Sequence, residues 1–197
     1  MGTAEVLTPP PRPVRDDLEN ADRYEIIDGV RVELPPMSAE STGLAADLCT
    51  FLTTHGLVHN LGKAYPEMLF HLPLPVDRNR RPDVAFVPFT RWARERPLPR
   101  TNAWDVLPDL CVEVVSPNDH ADEIEARICE YFEAGVRLVW VVYPRQARLY
   151  VYDTPARIRR LTRDDTLDGG VVLPEFRLPL TELFLLPPPS PQPPAQT

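Results

Sequence analysis

Arg81-Pro82-Asp83-Val84-Ala85-Phe86-Val87 and, further along, Leu110-Cys111-Val112-Glu113-Val114-Val115 are the two stretches that decide how this chain folds. Both are short apolar runs rich in β-branched residues. The second is apolar on both faces, which predicts a strand buried in the middle of a sheet. Each run contains one acid. A carboxylate inside a buried strand is costly unless it is paired or holds a metal. Two such carboxylates on neighbouring strands suit Mg²⁺, a hard cation that takes one or two protein carboxylates and keeps several waters. The main-chain carbonyl of Val114 adds a further oxygen to that set. The other reading of the same residues is two structural acids, each paired with an arginine.

Working outward, Tyr24-Glu25-Ile26-Ile27, Asp28-Gly29 and Val30 to Leu34 predict a β-hairpin closed by an Asp-Gly turn. Leu44, Ala45, Leu48, Phe51 and Leu52 recur at helical spacing within residues 40–56, with Gly56 as the expected stop. Residues 62–73 are expected to form one strand. Asp119 to Ala134 predicts a helix that Gly135 ends, followed by a buried strand over Val136 to Val142 and an edge strand over Leu149 to Tyr152. Hairpin, helix, strands, helix and strands make an α/β sandwich with a mixed sheet.

The 197 residues suit one folded domain, expected over residues 21–186. The 25 prolines concentrate at the ends, at Pro9-Pro10-Pro11-Arg12-Pro13 and from Pro187 onward, so a disordered N-terminal arm (1–20) and tail (187–197) are expected. No apolar run is long enough to span a membrane, and the N-terminus lacks a signal-peptide core. Cys49, Cys111 and Cys129 lie in apolar runs and cannot all pair, which predicts buried free thiols in a reducing cytoplasm. A net charge of −8 does not advertise nucleic-acid binding. Lys63 is the single lysine, and the arginines cluster at Arg78, Arg80, Arg81 and at Arg91, Arg94, Arg96, Arg100. Either cluster is a phosphate contact or a solvated loop.

The two acid-bearing runs resemble the Uma2 family of restriction endonucleases, the DUF820 group. So do Tyr131-Phe132-Glu133-Ala134-Gly135 through Val142-Tyr143-Pro144, and the opening Tyr24 to Gly29 with Leu34-Pro35-Pro36-Met37-Ser38. The resemblance covers about residues 22 to 153, and it is the ordered set with its spacing that is specific. It implies a PD-(D/E)XK nuclease fold, a restriction-endonuclease-like mixed central sheet flanked by helices. It also implies that Asp83 and Glu113 bind Mg²⁺ or Mn²⁺, and that a metal-bound water attacks a DNA phosphodiester. Glu67 is either a further ligand or outer-shell acid, or a solvent-facing residue of an edge strand. Cutting both strands implies a homodimer.

Three positions depart from the family pattern. The lysine of the E-x-K element is Val115, which cannot orient a water. The basic group can come instead from Arg127 on the following helix; as the alternative, Arg127 pairs on the surface with Glu123 or Glu130. The start of the first helix, Ser38-Ala39-Glu40-Ser41-Thr42, lacks the usual histidine, and Tyr143 stands where an aspartate is usual. The second functional reading is therefore a nuclease fold that has lost catalysis and acts as a binding or structural module. His55 and His59 are a poor zinc pair because no acid or cysteine lies close in sequence. Ser116 lacks a nucleophile-elbow setting, Trp104 and Trp140 read as packing, and Trp92 is either a base-stacking residue or a loop anchor.

Overall fold

The computed structural model describes residues 23–117 and 119–185. The expected arm 1–20 and tail 187–197 lie outside the described residues. The elements are β1 (Tyr24–Ile27), β2 (Val30–Glu33), α1 (Ala39–Val58), β3 (Gly62–Pro66), β4 (Phe70–Leu72), β5 (Arg78–Arg80), β6 (Val84–Pro88), β7 (Leu110–Val114), α2 (Ala121–Ala134), β8 (Leu138–Tyr143), β9 (Arg148–Thr154), β10 (Arg157–Thr162), β11 (Thr166–Gly169), β12 (Leu173–Pro179) and α3 (Leu180–Leu183). Six strands in the order β10-β9-β8-β7-β6-β3 make the central sheet, which is mixed because β7 and β8 pair in parallel.

The alternation of side chains along these strands builds two cores. Val84, Phe86, Val112 and Trp140 point to one face and pack under Leu48 and Leu52 of α1. Ala85, Cys111, Val139 and Val141 point to the other and pack under Ile124, Ile128 and Tyr131 of α2. The same parity sends Glu113 to the α2 side. Trp104 and Trp140 are both buried, as expected of packing residues. Helix α2 ends at Gly135, which adopts φ 98°, as its position after Ala134 foretold.

Several boundaries differ from the sequence expectation. Gly56 does not stop α1, which runs on to Val58. Gly56 is instead a contact residue: a Cβ there would lie 2.5 Å from the Gly62 carbonyl oxygen and 2.7 Å from the Phe86 ring. Helix and edge strand approach backbone to backbone at this point. Gly56→Ala is expected to lower the unfolding free energy by about 1–3 kcal/mol through overpacking, read as a shift in the urea midpoint. Residues 62–73 form two strands, not one. The chain breaks at Glu67, whose φ is 51°, and β4 joins a second sheet in the order β2-β1-β5-β4. The hairpin belongs to that second sheet. Strand β9 is not an edge, because β10 covers it. Cys111 is buried but Cys129 is exposed on α2, against the expectation of three buried thiols.

Candidate active site

The site forms where β3, β6 and β7 end together. Val84 pairs with Val112, so the antiparallel register sets Asp83 opposite Glu113 one step further on. Asp83 closes that ladder with its side chain: Oδ2 accepts the Val114 amide at 2.6 Å. On the other side, the Glu67 amide donates to the Asp83 carbonyl at 3.1 Å. Three acids on three adjacent strands therefore converge at one end of the sheet.

Glu113 is buried. Its Oε1 accepts the Tyr131 hydroxyl at 2.6 Å, and its Oε2 lies 3.4 Å from Arg127 Nη1. Burial pushes its carboxyl above the usual range, and the Arg127 charge and the Tyr131 hydrogen bond pull it part of the way back. Asp83 is driven well above the carboxylate range, first by burial and then by the Glu113 charge. Burial alone would depress the Arg127 guanidinium, but Glu113 and Glu25 outweigh it and hold the group firmly protonated. Arg127 pairs with neither Glu123 nor Glu130 as the surface reading would have it. It points inward, 3.2 Å from Glu25 and 3.4 Å from Glu113.

Glu67 does not face open solvent. Arg23 clasps its carboxylate through two hydrogen bonds, the Nη2–Oε1 contact being 2.7 Å, and the same guanidinium stands 3.8 Å from Asp83 Oδ1. Glu67 also holds the left-handed backbone conformation noted above, which a non-glycine residue adopts at a cost. Val115 shares the face of Glu113 and packs against the apolar cluster beneath α2. At this position packing has taken the place of the lysine.

Glu25 was missed, although its signal was the one that singled out Asp83 and Glu113: an acid in an apolar strand, Tyr24-Glu25-Ile26-Ile27. It is wholly buried. It accepts from Arg80 Nη1 at 2.6 Å and from the Arg81 amide at 2.9 Å, and it meets Arg127. Arg80 in turn grips Glu130 at 2.6 and 3.0 Å, and Arg78 reaches Asp28 at 2.9 Å. Arg78 and Arg80 are therefore not a solvated loop; they lie on β5 and their side chains tie the hairpin to α2, while Arg81 follows the strand, donates to the Tyr24 and Glu67 carbonyls and lines the cavity at the acid pair. Arg23, in the residues before β1, carried no sequence signal.

The remaining candidates fall elsewhere. His55 and His59 stack on each other with ring centroids 4.2 Å apart, and among the described residues no cluster of three or more His, Cys, Asp or Glu side chains forms a metal nest. Ser116 Oγ shares a hydrogen bond with Ser41 Oγ at 3.1 Å, beside the first turn of α1. Trp92 packs edge-on against Trp104 and donates its Nε1–H to the Arg96 carbonyl at 3.1 Å, so it does anchor its loop.

A crystal structure from Anabaena variabilis ATCC 29413, described as "a putative nuclease belonging to DUF820", superposes with a TM-score of 0.71. It is 18% identical in sequence, and the match covers 82% of this chain and 89% of that one, so it speaks for the fold. No curated protein matches the chain. No helix among the described residues is long and apolar enough to cross a membrane. The family model called Uma2, described as "Putative restriction endonuclease", matches residues 13–181. That span takes in the hairpin, both acid-bearing strands and α2, and the chain belongs to the Uma2 family.

Proposed function

We propose that this protein is a divalent-metal-dependent endonuclease that hydrolyses phosphodiester bonds of DNA in the cytoplasm, acting as a homodimer. The observation that carries the reading is the opposed, buried pair Asp83 and Glu113. The donor set fits Mg²⁺ or Mn²⁺. Asp83 Oδ2 is taken by the Val114 amide, but Oδ1 has only Arg23, at 3.8 Å. Glu113 Oε2 has only the long 3.4 Å contact to Arg127. Each acid thus keeps one loosely held oxygen, and hard oxygen donors suit these cations. The Val114 carbonyl leaves the strand on the same side as its amide and is the third oxygen. Bound there, a divalent cation supplies an acidified water and offsets charge on the phosphate.

The chain's own residues do the rest. Tyr131 fixes the Glu113 carboxylate by donating to Oε1. Arg127 stays protonated, so it stabilises phosphate charge and cannot serve as the base. Arg23 holds Glu67 beside Asp83, which makes Glu67 an outer-shell acid. One observation favours the second reading, a nuclease fold that binds nucleic acid without cutting it. Val115 is apolar, and Arg127 is already engaged by Glu113 and Glu25.

Metal separates the two readings. Millimolar Mn²⁺ is expected to raise the melting temperature of the wild-type protein and to leave Asp83→Asn unmoved, because only a ligand of the folded state shifts the transition. Plasmid nicking in Mn²⁺ that is absent in chelator supports the enzyme. A wild-type melting temperature indifferent to Mn²⁺ and Mg²⁺, with no nicking, would leave the binding module standing.

A further inference from the structure

Three concavities open in a row along this side of the molecule. The first is lined by Glu113, Arg127 and Asp83. It shares Asp83 and Met37 with a groove of about 540 Å³ that runs between α1 and edge strand β3. That groove shares Lys63 and Tyr65 with a hollow of about 300 Å³ walled by Trp92, Arg94 and Arg96. The three concavities therefore adjoin one another around the edge strand β3, a path from the acid pair, past Glu67, to an aromatic and basic mouth.

The middle groove is mostly apolar, and the hydroxyls of Thr42, Thr50 and Thr53 on its wall already donate to backbone carbonyls. Its volume falls in the range of small-ligand sites, roughly 300–1,000 Å³. At the mouth, Lys63 Nζ stands 5.3 Å from the Tyr65 ring centre and the Arg96 guanidinium 3.7 Å from that of Trp92. Arg94 lies 5.9 Å from the centre of the Phe89 ring. Among the described residues Lys63, Arg94 and Arg96 form no ion pair, which is also true of Arg100, Arg145 and Arg148; what the mouth adds is that each of its three cations stands beside an aromatic ring. Lone cations beside rings on a chain of net charge −8 mark a place built for an anion with flat, apolar parts. Arginine planes and aromatic rings stack unpaired bases, while phosphates sit on the neighbouring cations. A duplex keeps its base faces stacked on one another and offers none to such a groove.

We propose that this path binds a single-stranded DNA segment, with bases seated between α1 and β3 and phosphates on Lys63, Arg94 and Arg96. Only the further statement that the strand ends with its scissile phosphate at Asp83 rests on the nuclease reading.

The test is fluorescence anisotropy with a labelled 20-nucleotide DNA strand and its duplex, in chelator, so that binding is read without cleavage. Wild type is expected to bind the single strand at least tenfold more tightly than the duplex. The triple variant Lys63→Gln, Arg94→Gln, Arg96→Gln removes three phosphate contacts. It should flatten the slope of log affinity against log salt by about 2, since each contact on a single strand contributes roughly 0.7. Thr50→Trp, at an exposed helix position, fills the groove and should weaken single-strand binding about tenfold with an unchanged melting temperature. Equal or tighter duplex binding, or an unchanged salt slope in the triple variant, overturns the proposal. Strand binding by a wild-type protein that cuts nothing overturns the nuclease reading and leaves this one intact. Cleavage by a triple variant with unaltered binding does the reverse.

Discussion

Asp83→Asn is expected to abolish metal-dependent cleavage while making the metal-free protein more stable. The two effects share one cause. In the folded protein the Asp83 carboxyl is pushed well above its ordinary range by burial and by Glu113. A carboxyl whose folded pKa is raised favours the folded state when protonated. The stability it lends is present below the unfolded value, near 4, and is lost as pH rises through the folded value. As pH rises above the unfolded value, holding the Asp83 carboxyl in this buried site beside Glu113 therefore works increasingly against folding unless a cation neutralises the pair. Asparagine keeps an acceptor for the Val114 amide and removes the charge. In chelator, calorimetry across pH 5 to 8 should show Asp83→Asn more stable by on the order of 1 kcal/mol at the upper end, with the gain shrinking as pH falls. In Mn²⁺, cleavage should fall by about 10³-fold, several kcal/mol of lost charge stabilisation. A variant that is no more stable at pH 8 than at pH 5 would show that the pair is not ionised against its surroundings.

Glu25→Ala is expected to have the opposite signature, a large loss of stability. Glu25 is fully buried and holds three partners: Arg80, the Arg81 amide and Arg127. Its removal leaves Arg80 with one acid where it had two and takes the acceptor from the half-buried Arg81 amide. Removing one partner from a buried pair costs about 3–5 kcal/mol where the other charge is left uncompensated; here Arg80 keeps Glu130 and Arg127 keeps Glu113, so a loss of about 2–3 kcal/mol is expected. The urea midpoint should drop accordingly. Replacing Arg80 as well, as in Glu25→Leu with Arg80→Met, should recover much of that loss, which separates the network from simple loss of volume. If the single variant unfolds at the wild-type midpoint, the network contributes nothing to the fold.

How far the sequence revealed this molecule depends on range. Strands β6, β7 and β8 were legible because burial on both faces leaves an unbroken apolar run, and α2 because its buried residues recur at helical spacing before a glycine. Asp83 and Glu113 were legible because charge interrupts those runs. The break at Glu67 was not, since residues 62–66 and 70–72 are both strand-like and only the partner strands assign them to different sheets. Strands β10, β11 and β12 went unread for a related reason: Arg157-Ile158-Arg159-Arg160 exposes charge on an edge and looks like loop. The inward turn of Arg127 depended on Glu25, a hundred residues earlier, and no local spacing reports a contact of that length. Gly56 had the right residue type for a helix end, but the need at that point was room for the Gly62 backbone.

The opposed acids also bear on how copies of such a protein change over generations. Losing Glu25 or Arg80 singly passes through an unstable chain, so selection for a folded protein resists it. Losing Asp83 relieves a strain on the fold. Once the demand for cutting relaxes, drift at that one codon runs towards greater stability, and inactive copies should accumulate there first while the arginine scaffold around it persists unchanged.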